Sequence, residues 1–186
     1  GHFRHADVGH DDDKGLRRHF TVVTSPSETG VLGFATRMRD SAFKRSLAEL
    51  PVGADVDVEP PKGSFALPED ASRPLVFVAG GIGITVFRSM LLHIRAQGLP
   101  HRVTLVYSNR DRESTAFLDE LRGLENANPN LRLVLTMTED SGWEGESRKI
   151  DSEFFHDHLG KELDESTFLV AGPPGMVEGM QNALAE

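Results

Sequence analysis

The stretch Leu75-Val76-Phe77-Val78-Ala79-Gly80-Gly81-Ile82-Gly83-Ile84-Thr85 decides the reading of this chain. Its first five residues form a continuous apolar run, the pattern of a strand buried on both faces of a parallel sheet. Gly80, Gly81 and Gly83 follow at once. Glycines there let the backbone turn tightly and let a ligand approach with no Cβ in the way. Over residues 85–97, Val86, Met90, Leu91 and Ile94 recur at helical spacing. A helix start presents unpaired N–H groups and a positive dipole end, which suits a pyrophosphate. Gly80, Gly81, Ile82, Gly83, Ile84 and Thr85 are therefore the first candidate cofactor-binding residues. A tight turn without a ligand is the competing reading, because the glycines depart from the G-x-G-x-x-G spacing.

Downstream the same rhythm repeats. Strands are expected over residues 102–107, 131–136 and 167–171, and helices over 115–124, 151–158 and 174–184. Asp151 is placed to cap its helix and Pro174 to sit in a first turn. Strands alternating with helices imply parallel βαβ units and an open, doubly wound sheet. Ligands of such sheets collect at the carboxyl ends of the strands. Ala171-Gly172-Pro173-Pro174-Gly175-Met176 stands at one of those ends, so Ala171, Gly172, Pro173, Pro174 and Met176 join the candidates, with a rigid loop as the alternative. Ser108, Asn109 and Arg110 follow the second strand, where an adenosine ribose often sits. An arginine there favours a 2′-phosphate. The loop reads equally well as solvated charge, so NADPH and NADH both stand.

Upstream the pattern changes. Residues 68–74 (PEDASRP) are polar, bounded by prolines, and read as a linker. Before them, residues 19–24, 31–39 and 54–58 read as short strands. In the second of these, Leu32, Phe34, Thr36 and Met38 share a face. A small helix is expected over residues 42–50, capped by Ser41. Pro60 and Pro61 confine their segment to a turn or an edge. Short strands, turns and one helix suggest a small antiparallel barrel. Arg18-His19-Phe20-Thr21 at its first strand offers a cation, an aromatic ring and a hydroxyl one strand-step apart. That could serve a diphosphate and a flat ring, or be an ordinary edge strand. The first sixteen residues are polar and irregular. Their His2, His5, His10 and Asp11-Asp12-Asp13 could bind metal, but they read as a solvated loop or a cloning remnant.

Composition narrows the classes. The net charge of −9 argues against a nucleic-acid binder. Residues 1–73 carry 10 basic and 12 acidic side chains, and residues 74–186 carry 10 and 17, which hints at two units. The chain has no cysteine, hence no disulfide and no thiolate-held cluster. No apolar run is long enough to span a bilayer. A cytoplasmic protein is expected.

Taken in order, the motifs resemble the ferredoxin–NADP reductase superfamily. Its R-x-[YF]-[ST] pattern matches Arg18, Phe20 and Thr21. Its G-G-x-G-x-x-P loop matches Gly80, Gly81 and Gly83, with Val86 in place of proline. Its [CA]-G-P-P-x-M pattern matches Ala171, Gly172, Pro173, Pro174 and Met176. The segment over residues 55–65 is similar to the end of the family's flavin barrel, with Lys62 in place of a common aromatic. The resemblance implies a partial flavin-binding barrel over residues 1–67, a linker over 68–74 and an NAD(P)-binding α/β domain over 75–186. It implies FAD, less often FMN, beside NADPH or NADH. Arg18 would contact the flavin pyrophosphate, with Lys44, Arg45 and Ser46 on its other side. Phe20, next to His19, would pack on the isoalloxazine. Thr21, the one residue assigned to catalysis, would place its hydroxyl near N5. Hydride would pass from the nicotinamide to the flavin, and electrons onward to a ferredoxin or another acceptor protein. Family members carry barrel strands before the arginine motif and a strand after the last helix. The chain therefore reads as cut at both ends, with a non-autonomous reductase domain of a larger, even membrane-associated, complex as the alternative.

Overall fold

The computed structural model describes residues 2–4 and 17–184. Three short strands form an antiparallel sheet of order β2-β1-β3: β1 (His2–Arg4), β2 (Arg17–His19) and β3 (Asp57–Val58). Phe3 pairs with Arg18 and with Val58. Residues 2–4, expected to be irregular, thus form a strand. Both short neighbours have backbone groups that need partners, and an extended segment of almost any sequence can supply them. His5, His10 and Asp11-Asp12-Asp13 lie outside the described residues. Among the described residues no cluster of His, Asp or Glu is placed to hold a metal.

The remaining strands expected before residue 67 are shorter than their patterns suggest. From Phe20 to Arg39 the pairing is a single isolated bridge, Val22 with Phe34. Val23 N donates to Gly33 O at 2.9 Å, but Gly33 N donates to the Thr24 side chain at 3.1 Å. A side-chain oxygen taking a ladder position ends the pairing. The expected strand over 31–39 is therefore one bridge residue in an extended loop, and that over 54–58 is two residues. No regular barrel forms among the described residues. Helix α1 (Ala42–Glu49) does form, with Ser41 Oγ accepting from Lys44 N at 3.3 Å and Phe43 buried beneath it.

The second unit is a four-stranded parallel sheet of order β6-β5-β4-β7, built from β4 (Leu75–Gly80), β5 (Val103–Asn109), β6 (Leu131–Met137) and β7 (Thr167–Ala171). Every residue of β4 is buried. Alternation along it divides the core. Leu75, Phe77 and Ala79 pack with Phe87, Leu91 and Ile94 of α2 (Ile84–Gln97) and Leu121 and Leu124 of α3 (Leu118–Ala127). Val76 and Val78 face Phe154, Phe155 and Leu159 of α4 (Ser152–Leu159). The single turn α5 (Glu162–Glu165) follows, and Met180 of α6 (Pro174–Ala183) completes that second cluster. Helices thus cover both faces, the doubly wound arrangement.

Asp151 caps α4 by accepting from Phe154 N at 2.8 Å. Helix α3 starts later than expected because Asp111 organises the preceding turn. Its carboxylate accepts from Ser114 N at 2.7 Å and its carbonyl from Thr115 Oγ1 at 2.7 Å. Helix α5 has no apolar period by which to announce itself. No helix among the described residues is long and apolar enough to cross a membrane.

Candidate functional site

The strand order places the site. The chain runs from β4 to β5 to β6 on one side and then returns to lay β7 on the other side of β4. At such a reversal the connections leave in opposite directions and open a crevice at the carboxyl ends. Ala79 of β4 is in register with Ala171 of β7, so the two glycine turns begin side by side. Gly81–Gly83 forms one 3-10 turn that leads directly into α2. Gly81 has φ +52, and a Cβ there would stand 3.2 Å from the Arg37 guanidinium. A Cβ on Gly83 would collide with the carbonyl oxygen of Ala171. The turn therefore packs backbone against backbone. Met176 explains part of its own motif: its sulfur fills the space a Cβ on Gly80 would need and lies 3.0 Å from that of Gly172.

The crevice has a volume of about 1860 Å³. That exceeds the roughly 300–1,000 Å³ of a site for one small ligand, and matches two. Gly80, Gly81, Ile82, Gly83 and Thr85 line it at the end of β4 and beyond, Ser108, Asn109 and Arg110 at the end of β5, and Ala171, Gly172, Pro173, Pro174 and Met176 from the end of β7 onward. Arg18, His19, Phe20, Thr21 and Lys44 line it from the N-terminal unit. Three candidates lie elsewhere. Ile84 is fully buried in the core beneath α2. Ser46 is buried within α1, and Arg45 turns outward to pair with Asp40. Consecutive helical residues point about 100° apart, so with Lys44 on the crevice its two successors face away.

Among the lining residues missed in the sequence, one continuous segment stands out: Ala35, Thr36, Arg37, Met38 and Arg39. Arg37 donates to Asn109 Oδ1 at 3.1 Å and to Ser114 O at 3.0 Å, and so joins the two units. The signal was an arginine on the face opposite Phe34 and Thr36. Its partner, far off in the chain, had no local trace.

Charge is uneven around the crevice. Burial foremost, then the neighbouring cations Arg39 and Arg18, push the Lys44 ammonium below its ordinary pKa. Lys44 also donates to Thr36 and stands 5.1 Å over the Phe20 ring, while the Arg18 guanidinium lies 4.8 Å over Phe43. Phe34 stacks on Phe20 at 4.4 Å. Cations beside stacked rings suit an anionic ligand with a flat aromatic part. At the β5 end, the amide and hydroxyl of Ser114 hold Asp111 below the usual carboxylate range. Arg112 is engaged with Asp140 at 2.8 Å. Arg110 is the charged residue of that loop that reaches the crevice.

Fold and site together define a nucleotide-binding α/β lobe whose crevice is closed on one side by a cationic, aromatic N-terminal unit. Residues 77–182 match the family model "Oxidoreductase NAD-binding domain". The chain belongs to that family, and with it to the ferredoxin–NADP reductase superfamily. It is 35% identical over 131 residues to methane monooxygenase component C of Methylosinus trichosporium, covering 69% of this chain and 38% of that one. It is 26% identical over 177 residues to NADH-cytochrome b5 reductase 1 of Debaryomyces hansenii, covering 92% and 62%. The chain thus spans less than two thirds of these curated relatives. Its fold is shared with the cytochrome b5 reductase domain of Ulva prolifera nitrate reductase (TM-score 0.83, 19% identity, 99% of this chain and 78% of that one). It is shared also with a ferredoxin NADP+ reductase from Neisseria gonorrhoeae solved with bound FAD and NADP (TM-score 0.76, 23% identity, 98% and 80%).

Proposed function

We propose that the chain is the reductase portion of a flavin-dependent NAD(P)H oxidoreductase, taking hydride from a nicotinamide dinucleotide and passing electrons to an acceptor protein. One observation carries this reading: a single crevice, roomy enough for two cofactors, has glycine turns on one wall and Arg18-His19-Phe20-Thr21 with Lys44 on the other. The amides at the start of α2 would hold the dinucleotide pyrophosphate. Arg18 and Lys44 would hold the diphosphate of FAD, which answers their crowded charge better than the single phosphate of FMN. Phe20 would pack against the flavin ring, with Phe34 behind it, and Thr21 would direct its hydroxyl to the ring edge. Bound flavin supplies the acceptance of hydride and the release of electrons. The protein aligns the two rings and keeps water from between them. The division into a flavin unit (1–67), a linker (68–74) and a nucleotide lobe (75–186) belongs to this proposal.

Arg110 favours NADPH over NADH. The acceptor is a small electron carrier, a ferredoxin or a cytochrome b5-like protein, as the relatives' names suggest. The working site is the cytoplasm, to be checked by cell fractionation. A second reading is a non-autonomous reductase domain of a larger electron-transfer complex.

The test is an anaerobic titration of the full-length protein with FAD, then NADPH or NADH. Flavin bleaching by either dinucleotide supports the oxidoreductase, and its absence sinks it. Transfer to an artificial acceptor without any added subunit favours the self-contained enzyme over the second reading.

A further inference from the structure

Helix α2 starts at the glycine turn, and its second turn grips the N-terminal unit. Arg88 Nη1 donates to the carbonyl of Val23 at 2.8 Å, and Ser89 Oγ donates to that of Thr24 at 2.7 Å. These carbonyls follow closely on Phe20 and Thr21. Arg88 is braced from behind. Its guanidinium makes a two-pronged contact with Glu120 of α3, at 2.7 Å on each prong, and lies 5.1 Å over the Phe117 ring. Glu28 approaches it at 3.8 Å. The Arg88 side chain is 14% exposed, so this fork works largely out of water, where it is strong and directional.

Phe117 supplies a second, independent observation. Among the described residues it is the non-glycine residue with left-handed backbone, at φ 63. That conformation costs an aromatic residue about 1 kcal/mol or more and persists only where its surroundings impose it. Here it holds the ring beneath the guanidinium.

We propose that Arg88 is a positioning residue, assisted by Ser89, that sets the spacing between the Phe20–Thr21 segment and the Gly81–Thr85 turn. Arg88 does not line the crevice and acts through the backbone of Val23. A single rigid helix carries both the turn that would receive the nicotinamide and the side chains that hold the flavin-side strand. Hydride donor and acceptor must meet within about 3–3.5 Å, and a misplacement of about 1 Å costs on the order of 100-fold in rate. Losing the brace should therefore slow transfer without weakening dinucleotide binding. The inference rests on the reductase reading above.

The experiment compares the flavin-loaded full-length protein with Arg88→Met, which keeps the apolar stem, and Arg88→Lys, which keeps one donor. Rapid mixing with saturating dinucleotide gives the flavin-reduction rate, the dinucleotide dissociation constant and the nicotinamide–flavin charge-transfer absorbance. Arg88→Met should slow reduction by about tenfold or more, weaken the charge-transfer band and leave the dissociation constant within about twofold. Arg88→Lys should recover most of the rate. A readout without flavin uses the absence of cysteine. Spin labels at Val52→Cys and Glu162→Cys, on exposed positions of the two units, should give a distance distribution about twice as wide when Arg88→Met is added, since the brace is then gone. A folded Arg88→Met protein with wild-type reduction rate and an unbroadened distribution would overturn the proposal. If Arg88→Met does not fold, Glu120→Gln, which weakens the brace behind Arg88 and lies off the crevice, carries the same comparison with about threefold slowing expected. Wild-type flavin that no dinucleotide bleaches sinks the reductase reading instead, and the label distances still judge the brace.

Discussion

The two units of this protein are built on opposite terms. In the α/β lobe the strands run five to seven residues, β4 is buried along its whole length, and two separate apolar clusters cover the faces of the sheet. In the N-terminal unit the strands run two or three residues, and buried apolar side chains are few, Val23 and Phe43 among them. All the large exposed apolar side chains found among the described residues belong to that unit: Val31, Leu32, Met38, Val52, Val56, Val58 and Phe65. One unit is a scaffold that stands on its own core. The other supplies the crevice with side chains and depends on hydrogen bonds from Arg37, Arg88 and Ser89 for its placement. Binding chemistry can sit on a thinly packed segment when a rigid partner fixes where it lies.

The contrast is sharpest in paired truncations. Phe77→Ala, fully buried and stacked on Phe87 at 4.6 Å, should destabilise the fold by about 3–5 kcal/mol. Phe65→Ala, half exposed, should cost under about 1 kcal/mol in the same urea unfolding series. Equal losses would mean that the edge contact of Phe65 on Phe87, at 6.0 Å, holds the N-terminal unit on the lobe as firmly as the lobe's own core is held. Next in size is Gly83→Ala. The added methyl meets the backbone of Ala171, which cannot swing away, so about 1–3 kcal/mol and at least about tenfold in dinucleotide affinity should go. Isothermal titration against NADPH and NADH checks it, and unchanged affinity would detach the glycine turn from the ligand. Arg110→Ala should weaken NADPH by about five- to tenfold and leave NADH as it was. An equal effect on both dinucleotides would remove the arginine from cofactor choice.

The smallest effect belongs to the edge of the scaffold. The Arg148 side chain foremost, then its amide and His158, holds Glu146 far below the ordinary carboxylate range. The unfolded chain therefore takes up this proton first as pH falls. The stabilisation is fully present above the unfolded pKa of 4.5 and is lost as pH drops from there through the folded value. Glu146→Gln should cost about 0.5–1 kcal/mol near neutral pH, with the gap closing in acid. Unfolding midpoints measured at about pH 7 and about pH 3 decide the sign.

The α/β lobe was legible because its information is local. Strand β7 falls on the residues its pattern marks, and β4 and α2 fall within one residue of theirs. Asp151 and Ser41 cap the helices they precede. Alternating apolar runs and helical stripes are short-range signals, and parallel βαβ connections leave few topologies. The N-terminal unit was not legible in the same way. The alternation over residues 31–39 is real, yet Thr24 took a ladder position with its side chain and ended the pairing. Whether a strand pairs depends on a partner elsewhere in the chain, and alternation does not name it.

The amino-acid sequence by itself determined the class of the C-terminal lobe, the two glycine turns at its strand ends, and the order of motifs that places the chain in its family. These follow from steric rules that act over a few residues. Tertiary structure alone decided that Ile84, Arg45 and Ser46 lie outside the crevice, that residues 35–39 line it, and that Arg37 and Arg88 tie the units together. Arg37 finds Asn109 72 positions away and Arg88 finds Val23 65 positions away. Contacts of that reach are set by strand order and helix placement, which exist only once the chain has folded.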